Sequence, residues 1–595
     1  MGRQKKTSVG VGSGRQLLLN QEKGSFLKKW TGRQPIALIY PNSYRVGMSS
    51  LGFQLVYALL NEQETLVCER FFLPEKGDDL LSVESGRELT QFPLIFISVS
   101  FEHDYLHVAE ILIRGGIAPL AKDRDTQVSG QAPLVVCGGV ATFMNPEPLA
   151  PFVDLFLIGE AEPVLENVTD YLVLKSTVAD RLEIVKGVSE RYEGCYAPAL
   201  YNPVYGKDGR LAGHSAPPEL AGRIKKVFQQ QCTTAAHSQL LSPHAEFSNL
   251  FLTELGRGCS RGCRFCAAGY IYRPPRLWSG DAVAAGIAER WEDTDRVGLL
   301  GMEMADAAEL DTLSNYLGES GCALSFSSLR ADRLSKPLLD LLAGSNLKSV
   351  AIAPDGCSER LRIVINKGLD EQDIIRAAER LVAAGIYKLK LYLMIGLPTE
   401  TEKDLEEAIQ LVDRIKGKID PIGRLRGRLC EITISINCFV PKPWTPFQFH
   451  AFGVSEQLEK GEYKSRQEVV NRLKNRLKFL KNGFKAYANV HVSHDKPDNV
   501  LFQAILARGD RKLAEVLLEM AVYGIPWKQA MKRQGLTAEQ YALCGYDDSD
   551  YFPWSIIDHS IKQSYLWREY QRAFAGKTSD PCDTKKCRVC GVCHG

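Results

Sequence analysis

The chain has 595 residues, 45% of them hydrophobic and 24% charged, so on a prior of roughly 150 residues per domain it has room for about three or four cores. Lysine plus arginine (73) nearly balances aspartate plus glutamate (71), which leaves no global charge directed at nucleic acid or a membrane surface. The N-terminus lacks the apolar run of a signal peptide and no stretch approaches the ~20 apolar residues of a membrane span, so the expected compartment is the cytoplasm, with no membrane partner.

In a reducing compartment clustered cysteines more often bind metal or do chemistry than form disulfides. Seven of the sixteen cysteines fall into two tight clusters. The other nine, Cys68, Cys137 and Cys322 among them, stand singly, mostly beside apolar residues, and read as small core residues.

Along the chain, residues 1–32 are rich in Gly, Ser and Lys and read as a flexible tail. Residues 33–165 alternate short apolar runs (PIALIY, LVCERFF, PLIFISVS, APLVVCGG, VDLFLIGE) with helical stretches near 51–62 and 107–115. That alternation predicts a doubly wound, Rossmann-like parallel sheet with ligand loops at its carboxyl ends. A connector, 166–246, is less periodic. Residues 247–450 resume the alternation with the strands FLTEL, RVGLLGME, CALSFSS, LKSVAIAP, YKLKLYLMIG and LCEITISIN. Six βα-like units in about 200 residues predict a partial, open (βα)6 barrel, because a full one needs eight. A mostly helical extension, 451–577, includes a helix at 466–484 with Leu473, Leu477, Leu480 and Phe484 on one stripe and basic residues elsewhere. The chain ends in a Cys-rich metal-binding tail, 578–595. The fold class expected is α/β throughout the first two domains.

The first cluster, GRGCSRGCRFCAAGYIYRPPR, sets Cys259, Cys263 and Cys266 in C-x3-C-x2-C spacing just after the strand FLTEL. Glycines 256, 258 and 262 let the backbone curl around a bulky ligand, and Arg257, Arg261 and Arg264 are placed to stabilise thiolates. Cubane iron–sulfur clusters usually take four thiolates, so three leave one iron open to an external ligand. A structural zinc site completed by a distant residue is the alternative, although zinc sites favour C-x2-C pairs and no second pair lies nearby.

This spacing, with Phe265 directly before the last cysteine, resembles the radical S-adenosylmethionine superfamily. The resemblance implies an enzyme in which Cys259, Cys263 and Cys266 hold a catalytic 4Fe-4S cluster while S-adenosylmethionine chelates its fourth iron. It also implies reductive cleavage to methionine and a 5′-deoxyadenosyl radical, with the difficult chemistry belonging to the cofactor. Phe265 is expected beside that cofactor. By the same resemblance Gly301, Met302 and Glu303 meet the methionyl amine, and Ser327, Ser328 and Arg330 meet the carboxylate or ribose. Asp355, where relatives favour Glu, and Ile395, Gly396 and Leu397 fall at the ribose and adenine segments.

Residues 33–165 resemble the cobalamin-binding domain fused to some of these enzymes, which makes cobalamin a candidate cofactor. The usual D-x-H-x-x-G is absent, and His103 in SFEHDY is the nearest histidine, at the wrong spacing. In the tail, Cys582, Cys587, Cys590 and Cys593 (C-x4-C-x2-C-x2-C, followed by His594) fit either an auxiliary iron–sulfur cluster or a zinc knuckle. Expected partners are S-adenosylmethionine and an electron donor such as ferredoxin or flavodoxin. Methyl or methylthio transfer to RNA and modification of a small metabolite are the two enzyme readings of the substrate. An iron–sulfur electron-transfer or metal-sensing protein is the rival from another class.

Overall fold

The computed structural model describes residues 11–230, 235–301, 307–326, 329–345, 347 and 349–594. The N-terminal alternation folds into one sheet of β1 (Gln34–Tyr40), β2 (Leu66–Phe72), β3 (Leu94–Ser98), β4 (Leu134–Gly138), β5 (Leu155–Leu157) and β6 (Cys195–Tyr196), ordered 2-1-3-4-5-6. The first five strands are parallel and β6 is antiparallel to β5. Strands buried on both faces read as continuous apolar runs, and every residue of β2 is indeed buried. Chain order reverses between β1 and β3, which opens a crevice at their carboxyl ends. The domain runs past the expected end at 165, because β6 and two helices, Leu165–Lys175 and Arg181–Arg191, complete it.

The expected loose N-terminal tail is corrected from residue 11 onward. Val11–Gln21 is a helix that buries Leu18, and Trp30 packs edge-on to Phe92 at 4.9 Å. The anchor is a buried charge: Arg70, in the middle of β2, pairs with Glu22 at 2.7 Å and Glu84 at 2.5 Å. Composition does not reveal such an ion pair, because its partners lie 48 and 14 residues from Arg70.

The second alternation forms β7 (Phe251–Glu254), β8 (Arg296–Leu300) and β9 (Ala323–Phe326), then β10 (Val350–Gly356), β11 (Lys388–Ile395), β12 (Glu431–Cys438) and β13 (Val490–His494). All neighbours are parallel, and a bridge from Leu329 to Ile352 joins the two groups into one row. Among the described residues β7 and β13 do not pair, so the row stays open. In β12, and in β11 after its exposed first residue Lys388, buried and half-buried residues alternate strictly, as strands do when one face is sealed by helices and the other lines an open interior.

β13 was expected to be part of a helical extension. Helix Arg466–Phe484 and β13 instead add a seventh unit, so the row continues to residue 494. VHVSH is short and mostly exposed because it is an edge strand, which weakens its pattern. The remaining extension is mostly helical and ties the two domains together. The Asn145 amide donates to Ala507 O and Gly509 O at 3.1 and 2.8 Å, and Arg511 pairs with Glu147 at 2.8 Å. Among the described residues no helix is long and apolar enough to cross a membrane.

Candidate functional site

The three clustered cysteines sit on one excursion from the carboxyl end of β7. A two-residue antiparallel ribbon, Gly256–Arg257 against Arg276–Leu277, closes its neck. Both neck glycines are required. At φ +151° and +89°, a Cβ on Gly256 would meet Arg276 O at 2.5 Å, and one on Gly258 would meet Tyr272 O at 2.8 Å. Inside the loop Cys266 N donates to Cys263 O at 3.2 Å, and the helix Ala268–Ile271 follows. Arg264 N donates to Ile365 O at 2.9 Å, fastening the loop to the turn after the helix Glu359–Val364.

Cys263 is buried, while Cys259 and Cys266 are partly exposed. Burial pushes the Cys263 thiol up to about 12; the nearby Cys266 and Cys259 thiols add to that rise, and Lys367 and Arg330 oppose it. Three soft donors are thus neighbours in one loop, faced by two cations, which is the donor chemistry a thiolate-ligated iron cluster needs. Among the described residues, no three His, Cys, Asp or Glu side chains already converge as metal ligands do, so the fit rests on donor type and proximity.

Two of the three expected cations are drawn to carboxylates instead. Arg257 is held by Glu160, Glu162 and Glu254 at 2.8, 2.6 and 3.0 Å. Arg264 is fully buried against Glu569 at 3.1 Å, on the side of the C-terminal helix Gln563–Phe574. Arg261 lies 3.8 Å from Asp332. Lys367 stands beside the thiols: its ammonium pairs with Asp355 and sits 5.9 Å from the Phe265 ring centroid. Its signal in the sequence was slight, a lysine in the turn VINKGLD.

Asp355 lies at a register shift in β10 with φ +62°. Arg330 donates to Lys367 O at 3.2 Å and pairs with Asp332 at 2.9 Å, so Phe265, Arg330, Asp355 and Lys367 gather beside the thiols. Ile395 and Leu397 are core side chains with no exposure, so they offer only backbone. Between them Gly396 turns at φ +79°, and a buried carboxylate missed in the sequence, Glu400, accepts from Gly396 N at 2.9 Å and Leu397 N at 3.4 Å. Burial pushes Glu400 up to about 7, and Arg476, 2.9 Å away, opposes the shift. Glu303 and Ser327, with Met302 and Ser328, lie outside the described residues.

A cavity of about 480 Å³ lies where the two domains meet. Ser50, Ser98 and Gly139 line it from the first sheet, and Glu254, Arg257 and Gly301 from the second. His103 does not line it: its ring faces Asn499 O at 3.3 Å and Phe502 at 6.3 Å between centroids. Among the described residues the lining contains no histidine.

The second cysteine cluster lies against the first, although 316 residues separate Cys266 from Cys582 in sequence. Cys582 N donates to Ser260 O at 2.6 Å. Burial pushes the Cys582 thiol up to about 11, with further rises from Cys587, Cys590 and Cys593 and an opposing effect from Arg273.

Residues 253–412 match the family described as the radical SAM superfamily, and residues 52–198 match that described as radical SAM proteins, N-terminal. An uncharacterized protein of Methanocaldococcus jannaschii is 29% identical over 486 residues, which covers 81% of this chain and 90% of its own. The chain is also similar to the solved structure of the radical S-adenosylmethionine methyltransferase TsrM from Kitasatospora setae, with cobalamin and a 4Fe-4S cluster bound. That match has 12% identity and a TM-score of 0.48 over 84% of this chain and 98% of the other. OxsB, a cobalamin-dependent S-adenosylmethionine radical enzyme, is 11% identical with a TM-score of 0.46, over 91% and 80%.

Proposed function

We propose that this chain, an enzyme of the radical S-adenosylmethionine superfamily, cleaves S-adenosylmethionine at a cluster held by Cys259, Cys263 and Cys266 and uses the radical in the chamber between its two domains. The observation that carries the reading is the necked loop at the end of β7, with three neighbouring thiols faced by Lys367 and Arg330. A 4Fe-4S cluster there would supply one electron to the sulfonium, giving methionine and the 5′-deoxyadenosyl radical. The protein's part is to bind, orient and exclude water. Lys367 and Arg330 offset thiolate charge, Glu400 fixes the Gly396 turn, and the first domain covers the open end of the row.

A corrin placed in the chamber would find serine, glycine and aliphatic walls together with Phe143, Tyr272, Arg257 and three glutamates, and no imidazole among the described residues, so cobalamin is proposed only as a group held without a protein ligand to cobalt. The four tail thiols are proposed as a second metal site, iron–sulfur or zinc. Methyl or methylthio transfer to RNA is favoured over a small metabolite by one feature. Lys474, Lys478, Lys481, Lys485 and Lys496 line a groove of about 530 Å³ beside the helix Arg466–Phe484, a footprint for phosphates. The electron donor is proposed to be a low-potential carrier such as ferredoxin or flavodoxin.

The test is anaerobic reconstitution with iron and sulfide, reduction, and electron paramagnetic resonance with and without S-adenosylmethionine, alongside an assay for 5′-deoxyadenosine. A reduced-cluster signal that shifts with S-adenosylmethionine, with product formed, is expected for the native chain and neither for Cys263→Ala. A full iron complement without shift or cleavage would sink the reading. In the same assay, RNA is expected to raise turnover at low salt and to lose that effect steeply as salt is added. Turnover indifferent to RNA would remove the substrate assignment.

A further inference from the structure

Outside the catalytic loop, the densest set of unexplained contacts is the way the C-terminal tail crosses that loop. Asn366, at φ +53°, grips both partners at once. Its amide nitrogen donates to Gly262 O and to Ser579 O, each at 3.1 Å, and its oxygen accepts from Ser579 N at 2.9 Å. Arg264, from between Cys263 and Cys266, donates to Lys577 O at 2.7 Å and to Ser579 Oγ at 3.3 Å. Ser579 Oγ in turn donates to Glu569, the carboxylate that balances Arg264. Cys582 N then donates to Ser260 O, one residue from Cys259.

Beyond residue 582 the tail carries its four thiols and is fastened again at its far end. Lys562 N donates to Cys590 O at 2.9 Å, and Gly591, at φ +104°, passes so close to Ser560 O that a Cβ would lie 2.9 Å away. A cation from the catalytic side faces these thiols. Arg273, nine-tenths buried just after the helix that follows Cys266, is stacked between Tyr270 and Tyr565 at 4.6 and 5.5 Å. It donates to Gly269 O at 2.9 Å, and its charge reaches Cys582, Cys590 and Cys593. Residues 583–586 and Val589 are exposed, with no apolar core of their own to hold the tail shut. A segment so short and polar needs a cross-link to keep one shape, and four soft donors in twelve residues are suited to a thiophilic metal.

We propose that the tail is a metal-dependent clasp on the catalytic loop: a thiophilic metal bound by Cys582, Cys587, Cys590 and Cys593 holds residues 577–582 against Ser260–Arg264 and shields the three catalytic thiols. The clasp rests on the proposed role of Cys259, Cys263 and Cys266 only for its purpose. Its mechanics are those of backbone contacts and are read on backbone amides. Metal bound by the folded tail and not by its open form shifts the equilibrium toward closure by mass action.

The full chain would be prepared anaerobically in three forms, native, Cys587→Ser/Cys590→Ser and Asn366→Ala, each loaded with zinc(II) or with iron and sulfide. Metal content is measured together with hydrogen exchange at residues 258–266. The double variant is expected to lose the tail's metal and to exchange about tenfold faster across 258–266, as local opening does when a cross-link is removed. Asn366→Ala is expected to keep the tail metal and still exchange faster there, since it cuts the strap and leaves the thiols intact. A native chain holding no more metal than the double variant would overturn the proposal. So would loop exchange that is identical in all three forms. Cys263→Ala separates the two readings: an iron content equal to that of the native chain would refute the catalytic cluster, while the exchange comparison continues to decide the clasp.

Discussion

Lys367 is a buried cation, and its environment states its duty. Burial alone would lower its pKa, but Asp355 and the Cys263 thiol outweigh that and raise it, so it stays charged beside the thiols. Removing only one member of a buried pair strands the other at a cost of about 3–5 kcal/mol. Lys367→Met should therefore lower both thermal stability and iron retention. The double variant Lys367→Met/Asp355→Asn should recover most of the stability and not the iron, measured by thermal unfolding and iron analysis. Recovery of both would assign Lys367 a purely structural role. Glu400 contributes to stability in the opposite sense to a carboxylate whose pKa is lowered on folding. Its folded pKa, about 7, lies above the usual 4.5, so the folded state binds its proton more tightly. Stability tied to Glu400 is thus complete at acid pH and falls as pH rises from about 4.5 to about 7. Glu400→Gln, which keeps the amide contacts' acceptor without charge, should flatten that stretch of the stability–pH curve by on the order of 1–3 kcal/mol. An unchanged slope would show that the pH dependence originates elsewhere.

At the scale of the element, the cysteine loop depends on its neck more than on its interior. Gly258 combines a left-handed φ with a carbonyl 2.8 Å from any Cβ. Gly258→Ala should cost about 1–3 kcal/mol in local strain, enough to open the ribbon while leaving both sheets intact. The expected outcome is a native-like far-ultraviolet circular dichroism spectrum with poor iron loading. Normal loading would mean the neck adapts. The helix Arg466–Phe484 was legible because its apolar residues keep helical spacing, and Leu473, Leu477, Leu480 and Phe484 are all buried. Its edge-strand successor β13 was not legible, since exposure of the outer face erased the alternation.

At the scale of the whole molecule, Arg257 joins the domains. It gathers Glu160 and Glu162 from the first and Glu254 from the second at the wall of the chamber, and Arg276 shares Glu160. Burial already pushes Glu254 up, so these carboxylates tolerate one another through that guanidinium, with Arg276 sharing Glu160. Arg257→Ala should destabilise the closed arrangement by about 3–5 kcal/mol. The defect should shrink as pH falls into the carboxylate range, about 4 to 5, where protonation removes the repulsion. Small-angle scattering and thermal unfolding across pH would check this, and a defect independent of pH would refute the electrostatic account.

Local pattern alone pointed to the parallel α/β character of both sheets, to most of their strands in chain order, and to the two cysteine clusters. Those features depend on period, spacing and residue type, which a single chain displays. Tertiary structure alone decided which charges meet the thiols, because Lys367 lies 101 residues from Cys266 and the nearer Arg257 and Arg264 are drawn to carboxylates contributed by other elements. It also decided that the tail returns to Ser260 and that residues 11–32 are anchored through Arg70. Electrostatic partners and backbone hydrogen bonds between distant segments are chosen by packing, and no periodicity in the sequence encodes them.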